Sequence, residues 1–336
     1  MVLTVLTEGG VDSGFGHITR CISISKAFES NGVEVEFLVH GDSSVNKILE
    51  NLNYKKVNWI KNFEKLKKLR SKSSIILLDS ISVSREQIIK ISSLKLPIIH
   101  IDDEKHQNTI NNGFILDWTV NLDSKKIFPI KKDNVVYLLG PKFTPLREEF
   151  YQKKTFLIKK KITQIMVTFG GSDVKNMSPI VLENLVNYYP EVRKKVIIGD
   201  GYQNFSSIEK NVDKNTELIF GASAKKIFDT MNNSDLAVAS GGQTLYELAR
   251  VGVPTLAIIM VDNALFDTNG WQKVGFLKNI GWHDDQYLMD NLRTSIEDLK
   301  DISIRKLMSE NGKKIMENNG AKLIADIVIR KLHENF

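Results

Sequence analysis

The sequence predicts an α/β protein built as two parallel-sheet domains facing a central cleft. Three observations carry that expectation. Short apolar runs alternate with helical patterns along the chain, the alternation begins afresh after residue 155, and several of the runs end in paired glycines. At 336 residues the chain exceeds what a single hydrophobic core usually covers. Strands interleaved with helices build βαβ units and hence parallel sheets. In open sheets of this kind, ligands bind beyond the carboxyl ends of the strands.

The first series opens with VLTVLTEG (2–9), a buried strand. After the loop that begins SGFGHITRC (13–21), a helix is expected from His17 to Ser30, with Ile18, Ile22, Ile24, Ala27 and Phe28 as its apolar positions. Further strands are expected at VEVEFLV (33–39), SIILLD (74–79), PIIHID (97–102) and WTVNLD (118–123). The second series runs through TQIMVTFGG (163–171), KKVIIGDG (194–201), TELIFGAS (216–223), DLAVASGG (235–242) and PTLAIIMV (254–261). Between them, LLGPKFTPLREEFYQKKTF (138–156) breaks the pattern with two prolines and a charged run. The domains are therefore expected at 1–153 and 154–336, with a helical C-terminal segment placed to pack across both.

Composition narrows the function classes. The net charge of +6 comes from scattered lysines, with one short run at Lys159–Lys161. Such lysines form a solvated surface with a weak attraction for anions. No dense basic stripe with interleaved aromatics is present, so no nucleic-acid partner is expected. The single cysteine, Cys21, excludes a disulfide within the chain and makes a cysteine zinc site a poor fit. No basic leader with a cleavable apolar core and no apolar stretch of membrane-spanning length occurs. A cytoplasmic monomer without stable membrane insertion is expected. No cluster has metal-ligand spacing, and neither a P-loop nor a G-x-S-x-G elbow occurs. No metal and no cofactor are expected.

Four segments could carry chemistry. In the first, Gly14 and Gly16 permit tight turning and close backbone approach, and a helix then begins near His17. Its free N–H groups and dipole favour an anion there. His17 is either a local cap or a general acid or base, since imidazole titrates near neutral pH. The second is SGGQTLYE (240–247): Thr244 and Glu247 read as a capping box. The same geometry would let Gly241, Gly242, Gln243 and Thr244 meet a diphosphate while Glu247 accepts from a ribose. The third is TFGGSD (168–173), where Gly170 and Gly171 make a turn and Ser172 is an N-cap or a phosphate donor. The fourth is the set of acids at strand ends, Asp79, Asp102 and Asp103, with turn formation or capping as the alternative for the last two.

These segments, in this order, resemble the UDP-sugar hydrolases of pseudaminic acid biosynthesis and the related spore-coat polysaccharide proteins. The resemblance runs through SGFGHITRC (13–21), LLDSISVS (77–84), IIHIDDEKH (98–106), LGPKFTPLREEF (139–150), VTFGGSD (167–173) and VASGGQTLYELARVGVPTLAI (238–258). The last block is also similar to the UDP-binding half of the lipid-linked N-acetylglucosaminyltransferase of peptidoglycan synthesis. Both families have the GT-B fold, with two Rossmann-like domains. The resemblance implies metal-independent, inverting hydrolysis of a UDP-linked diacetamido-trideoxy sugar. His17 matches the family's catalytic histidine. Gly14, Gly16, Arg20, Asp79, Asp102 and Asn263 would face the sugar. Gly170, Gly171, Ser172, Gly241, Gly242, Gln243, Thr244 and Glu247 would hold UDP. Two departures stand out: Ala264 follows Asn263 where the family often has glutamine, and DSIS replaces an Asp-x-Tyr segment.

Two other readings share these residues. A glycosyltransferase of the same fold would need an acceptor groove, for which the basic segment NFEKLKKLRSK (62–72) is the feature to weigh, an ordinary solvated helix being its alternative. A nucleotide-sugar binding protein without turnover would have no need of an imidazole at position 17.

Overall fold

The computed structural model describes residues 1–11, 14–67, 71–103, 110–120, 132–152 and 156–334. The chain forms two compact units, Met1–Arg147 with Asn318–Phe336, and Glu148–Glu317. The sequence expectation put a boundary after residue 153 and assigned the C-terminal segment to the second half, placed to pack across both. In the structure the chain returns to the first unit at Asn318.

The first unit holds a seven-stranded sheet. Its strands are β1 (Val2–Gly9), β2 (Glu34–Gly41), β3 (Tyr54–Lys56), β4 (Ile75–Asp79), β5 (Ile98–Ile101), β6 (Gly113–Asp117) and β7 (Val135–Leu139). They lie parallel in the order β3-β2-β1-β4-β5-β6-β7. The near-continuous apolar runs of β1, β4 and β5 are what a sheet covered on both faces requires. On one face Leu6, Leu38, Ile76, Leu78 and Ile115 pack against Ile88 and Ile91 of the helix Arg85–Ser92. The helix Gly16–Glu29 turns Ile18, Cys21, Ile24 and Phe28 inward, close to the spacing expected. The C-terminal helix Gly320–His333 packs beside it. That docking needs a glycine: a Cβ on Gly320 would sit 2.2 Å from the Thr144 carbonyl oxygen.

One expected strand is not formed over its described residues, 118–120. WTVNLD (118–123) lies partly outside the described residues, and β6 ends just before it at Asp117. The Asp117 carboxylate accepts the Thr119 N–H at 2.9 Å, and this turn stops the strand. The strands β3, β6 and β7 had no strong sequence signal of their own.

The second unit holds a six-stranded sheet. Its strands are β8 (Gln164–Thr168), β9 (Arg193–Ile198), β10 (Thr216–Phe220), β11 (Leu236–Ser240), β12 (Thr255–Ile259) and β13 (Leu277–Trp282). Their order is β10-β9-β8-β11-β12-β13, again parallel. Val167, Val196, Val238 and Leu256 meet Val181 and Leu185 of the helix Met177–Tyr188 in its core. Each sheet has one point where the strand order reverses: between β1 and β4, and between β8 and β11.

Candidate functional site

The reversal between β1 and β4 is where the first group of sequence-selected residues converges. After β1 the chain turns at Gly10 and at Gly14, whose φ of 71° suits glycine, and Gly10 and Gly14 form an isolated bridge. The Asp42 carboxylate, just beyond β2, accepts from the Val11 N–H at 3.0 Å and from the Ser44 N–H at 2.7 Å, tying this loop down. The helix then starts at Gly16, placing His17 and Arg20 one turn apart over the end of β4.

There Asp79, the last residue of β4, is almost fully buried. His17 Nδ1 lies 2.8 Å from Asp79 Oδ1. Arg20 donates Nε to Asp79 Oδ2 at 2.7 Å and Nη2 to Asp79 Oδ1 at 2.6 Å. It also donates Nη1 to Asp103 Oδ2 at 2.7 Å and Nη2 to Asp103 Oδ1 at 3.3 Å. The guanidinium lies 5.1 Å from the centre of the Trp118 ring. Burial by itself would raise the Asp79 carboxyl, but the Arg20 guanidinium and His17 outweigh it and hold the group far below the usual carboxylate range. Asp79 is therefore an acceptor only. Arg20 Nη2 also lies 3.1 Å from His17 Nδ1. Because an ionised Asp79 can only accept, the 2.8 Å contact from Nδ1 requires the proton on the imidazole. That fixes the tautomer and leaves Nε2 as the basic nitrogen of His17.

A pocket at this strand end is lined by His17, Arg20, Asp79, His100, Asp102 and Asp103, with Ser80 and an apolar wall beside them. Sequence reasoning selected His17, Arg20, Asp79 and Asp102 for this neighbourhood, and the structure brings them together. Arg20 and Asp79 were expected to face the sugar. In the structure their polar groups are turned onto one another, onto His17 and onto Asp103. Gly14 and Gly16 shape the turn that precedes the helix.

Two groups escaped the sequence reading. Glu8, inside the buried run of β1, accepts from Ser80 Oγ at 2.7 Å and from the Ser82 N–H at 2.8 Å. Burial pushes its carboxyl up, but the hydrogen bonds from Ser80 and Ser82 outweigh this and keep it below its ordinary value. It ties the loop after β4 to β1. The signal was an acid within an apolar strand, which is rarely buried without a partner. His100, in β5, is the other, and its signal was of the same kind.

In the second unit the two glycine loops emerge from neighbouring strands, β8 and β11, at the reversal point. Gly170 takes a φ of 77° and Gly242 a φ of 106°. The loop after β8 lies directly against the one after β9: the Gly201 N–H donates to the Gly171 carbonyl at 2.9 Å. A Cβ on Gly199 would come within 2.2 Å of the same oxygen. The N-cap position of the helix Met177–Tyr188 is Asn176, which makes no side-chain cap hydrogen bond. The first N–H groups are satisfied by Asp173, not Ser172: its carboxylate accepts from Met177 at 2.9 Å and Ser178 at 2.7 Å. Ser172 is thus released from the capping alternative.

The capping box read from Thr244 and Glu247 does not form. The helix Gln243–Val251 is capped by Gly242 without a side-chain hydrogen bond. The helix begins two residues earlier than such a box requires. Glu247 therefore lies in its second turn and is buried. Gly241 makes close packing: a Cβ there would stand 2.7 Å from the Ala264 Cβ. Ala264 is itself buried against it, whereas Asn263, the first residue of the helix Asn263–Lys273, is exposed. Among the described residues no group of histidine, cysteine and acidic side chains could hold a metal ion. Nor is any helix among them long and apolar enough to cross a membrane.

Comparison with solved structures places this architecture. MurG of Acinetobacter baumannii superimposes with a TM-score of 0.66 at 14% identity, covering 98% of this chain and 100% of that one. The UDP-GlcNAc 2-epimerase of Neisseria meningitidis, solved with UDP-GlcNAc bound, gives 0.62 at 14% identity over 98% and 100%. The fold is GT-B.

No protein-family model matches the chain. Its homologues include a Helicobacter pylori protein named pseudaminic acid cytidylyltransferase and UDP-2,4-diacetamido-2,4,6-trideoxy-β-L-altropyranose hydrolase, 24% identical over 91% of this chain. They also include the spore coat polysaccharide biosynthesis protein SpsG of Bacillus subtilis, 22% identical over 78% of each. An uncharacterised protein of Methanocaldococcus jannaschii is 24% identical over 77% of this chain. The chain spans 55% of the archaeal protein and 52% of the Helicobacter protein, about half the length of each. The resemblance read from the motifs thus extends to sequence similarity along most of this GT-B chain.

Proposed function

We propose that this protein acts on a nucleotide sugar, hydrolysing a UDP-linked diacetamido-trideoxy sugar to free sugar and UDP. The observation that carries the reading is the 2.8 Å contact of His17 Nδ1 with a buried, ionised Asp79 at the reversal point of the first sheet. Water is a poor nucleophile, and an oriented imidazole makes it a better one. In the proposed step Nε2 of His17 takes a proton from water as the water oxygen bonds to the anomeric carbon. The bond from that carbon to the diphosphate oxygen breaks, and UDP departs with the electron pair. A single displacement of this kind inverts the anomeric configuration and needs no metal or cofactor.

The second unit would hold UDP. Gly170, Gly171 and Ser172, with Gly241, Gly242, Gln243 and Thr244, surround two neighbouring strand ends, where backbone N–H groups suit a diphosphate. Charge developing on the leaving group is stabilised there without reorganisation. Glu247 would accept from the ribose. Asp102 and Asn263 are assigned to the sugar, with Arg20 and Asp79 acting through His17. The similarity to the Helicobacter and Bacillus proteins supports this reading, as does the position of both glycine loops.

The test is UDP release from a panel of UDP-diacetamido-trideoxyhexoses, in EDTA and without an acceptor. Free sugar formed at enzymatic rates is the expected result. UDP binding without release overturns hydrolysis in favour of transfer to another acceptor, or of binding alone.

A further inference from the structure

His100 places a second imidazole in the pocket of the first unit. It is the third residue of β5, paired in register with Leu78 on one side and Ile115 on the other. Residues in register across a parallel sheet share a face, and on this face Leu78, Ile98 and Ile115 all belong to the apolar core. One polar side chain in that row breaks the pattern that a doubly covered sheet otherwise follows. His100 is 4% exposed and lines the pocket with His17, Asp79 and Asp102.

Its Nδ1 is buried without a hydrogen-bond partner among the described residues. Buried polar atoms are nearly always paired, and each exception asks for a reason. A neutral imidazole carries one donor and one acceptor. Burial pushes its pKa down, against the pull of the Asp102 and Asp79 charges, so the ring is neutral near pH 7. It therefore does not join the ion-pair network of Arg20, which already holds His17 in place.

The surroundings say what would pair with it. The pocket has only about 20 Å³ of free space and sets the Asp102 carboxylate, a hydrogen-bond acceptor, beside an apolar wall of Val83, Ile88 and Ile101. A ligand that reaches this space presents one small O–H or N–H donor, with a methyl group beside it. Acylated amino sugars and deoxy sugars are of that kind. A fully hydroxylated hexose lacks the methyl groups.

We propose that His100 is a specificity-determining residue, whose Nδ1 hydrogen-bonds a hydroxyl or amide group on the sugar of an acylated, deoxygenated nucleotide sugar. This rests on the nucleotide-sugar reading above, and the experiment separates the two.

Calorimetric binding of UDP and of UDP-2,4-diacetamido-2,4,6-trideoxyhexoses is measured in a His17→Ala background, so that the sugar stays attached. His100→Leu is expected to lose at least about tenfold in affinity for the best-bound UDP-sugar while keeping UDP affinity within about twofold, as one lost hydrogen bond to a buried group allows. His100→Asn, whose amide stands near the position of Nδ1, recovers most of that loss and serves as the check on folding. Equal affinity of His100→Leu and its parent for the UDP-sugar overturns the proposal alone. So does an equal loss for UDP and UDP-sugar, which marks a structural role. Absence of UDP binding by the parent overturns the nucleotide-sugar reading, and this proposal with it.

Discussion

His17 and Asp79 stand 62 positions apart in sequence and 2.8 Å apart in space, Nδ1 to Oδ1. The sheet makes this contact. β1 and β4 are neighbours with Thr7 opposite Asp79, so the helix that follows β1 begins over the end of β4. A carboxylate that is buried and ionised there fixes the imidazole in one tautomer. The relationship has a direct kinetic consequence.

His17→Ala is expected to abolish turnover and to leave UDP affinity within severalfold, because the diphosphate is assigned to the second unit. Asp79→Asn keeps the shape but removes the charge that orients the ring. Turnover should fall by about 10²–10⁴-fold, the usual worth of a positioned acid or base. Steady-state rates and calorimetry check both, and a near-normal rate for His17→Ala removes it from the mechanism.

Arg20→Met leaves Asp79 buried without its principal counter-charge. Removing one partner of a buried pair costs about 3–5 kcal/mol, because the other stays uncompensated. The folded Asp79 carboxyl titrates far below its unfolded value. Its contribution is therefore complete above the unfolded pKa of about 4 and is lost as the pH falls toward the folded one. The penalty of Arg20→Met should shrink in acid. Denaturant unfolding at pH 7 and pH 3 measures it, and a penalty independent of pH would contradict the pairing.

Glu247→Ala should weaken UDP binding by roughly 1–3 kcal/mol, the cost of a lost partner for a buried hydrogen-bonding group. Calorimetry with UDP reads this directly. Unchanged affinity removes the ribose assignment.

Gly199→Ala tests the contact between the loops after β8 and β9. The new methyl carbon would approach the Gly171 carbonyl oxygen to 2.2 Å, and backbone cannot swing aside as a side chain can. A loss of about 1–3 kcal/mol in stability is expected, as for overpacking elsewhere, together with weaker UDP binding. A variant as stable as its parent, with the same UDP affinity, would show that the loop position is unimportant.

His100 also predicts a pH dependence. Its folded pKa is depressed, so the unfolded chain takes up the proton first as the pH falls. The stability of the folded state is fully present above about pH 6.5 and declines toward the folded pKa. His100→Asn should flatten the fall in melting temperature between pH 7 and pH 5. An unchanged slope would mean that other groups carry it.

The alternation of apolar runs with helical patterns, the restart after residue 155 and the glycines at strand ends are local properties. They were legible in order, and they led to two parallel sheets and to His17, Asp79 and the two glycine loops. Local capping was less legible. Thr244 and Glu247 have the spacing of a capping box, but the helix starts at Gln243, and two residues of offset dissolve it. Asp173, not Ser172, satisfies the first N–H groups of the next helix, because a carboxylate reaches two of them at once.

Strand order was not written in any window of sequence. That β4 lies beside β1, and β11 beside β8, follows from which apolar faces cover one another over the whole chain. Only that ordering turns Arg20 onto Asp79 and Asp103, buries Glu8 against Ser80, and carries His100 into the same pocket. The return of Gly320–His333 to the first unit is of the same kind: it depends on a helix face and a glycine meeting residues Phe143 and Thr144, far away in sequence. Residue types and their periods specify which elements form and which side chains could react, because those depend on neighbours along the chain. Which of those side chains meet depends on packing between distant segments, and that the tertiary structure alone decides.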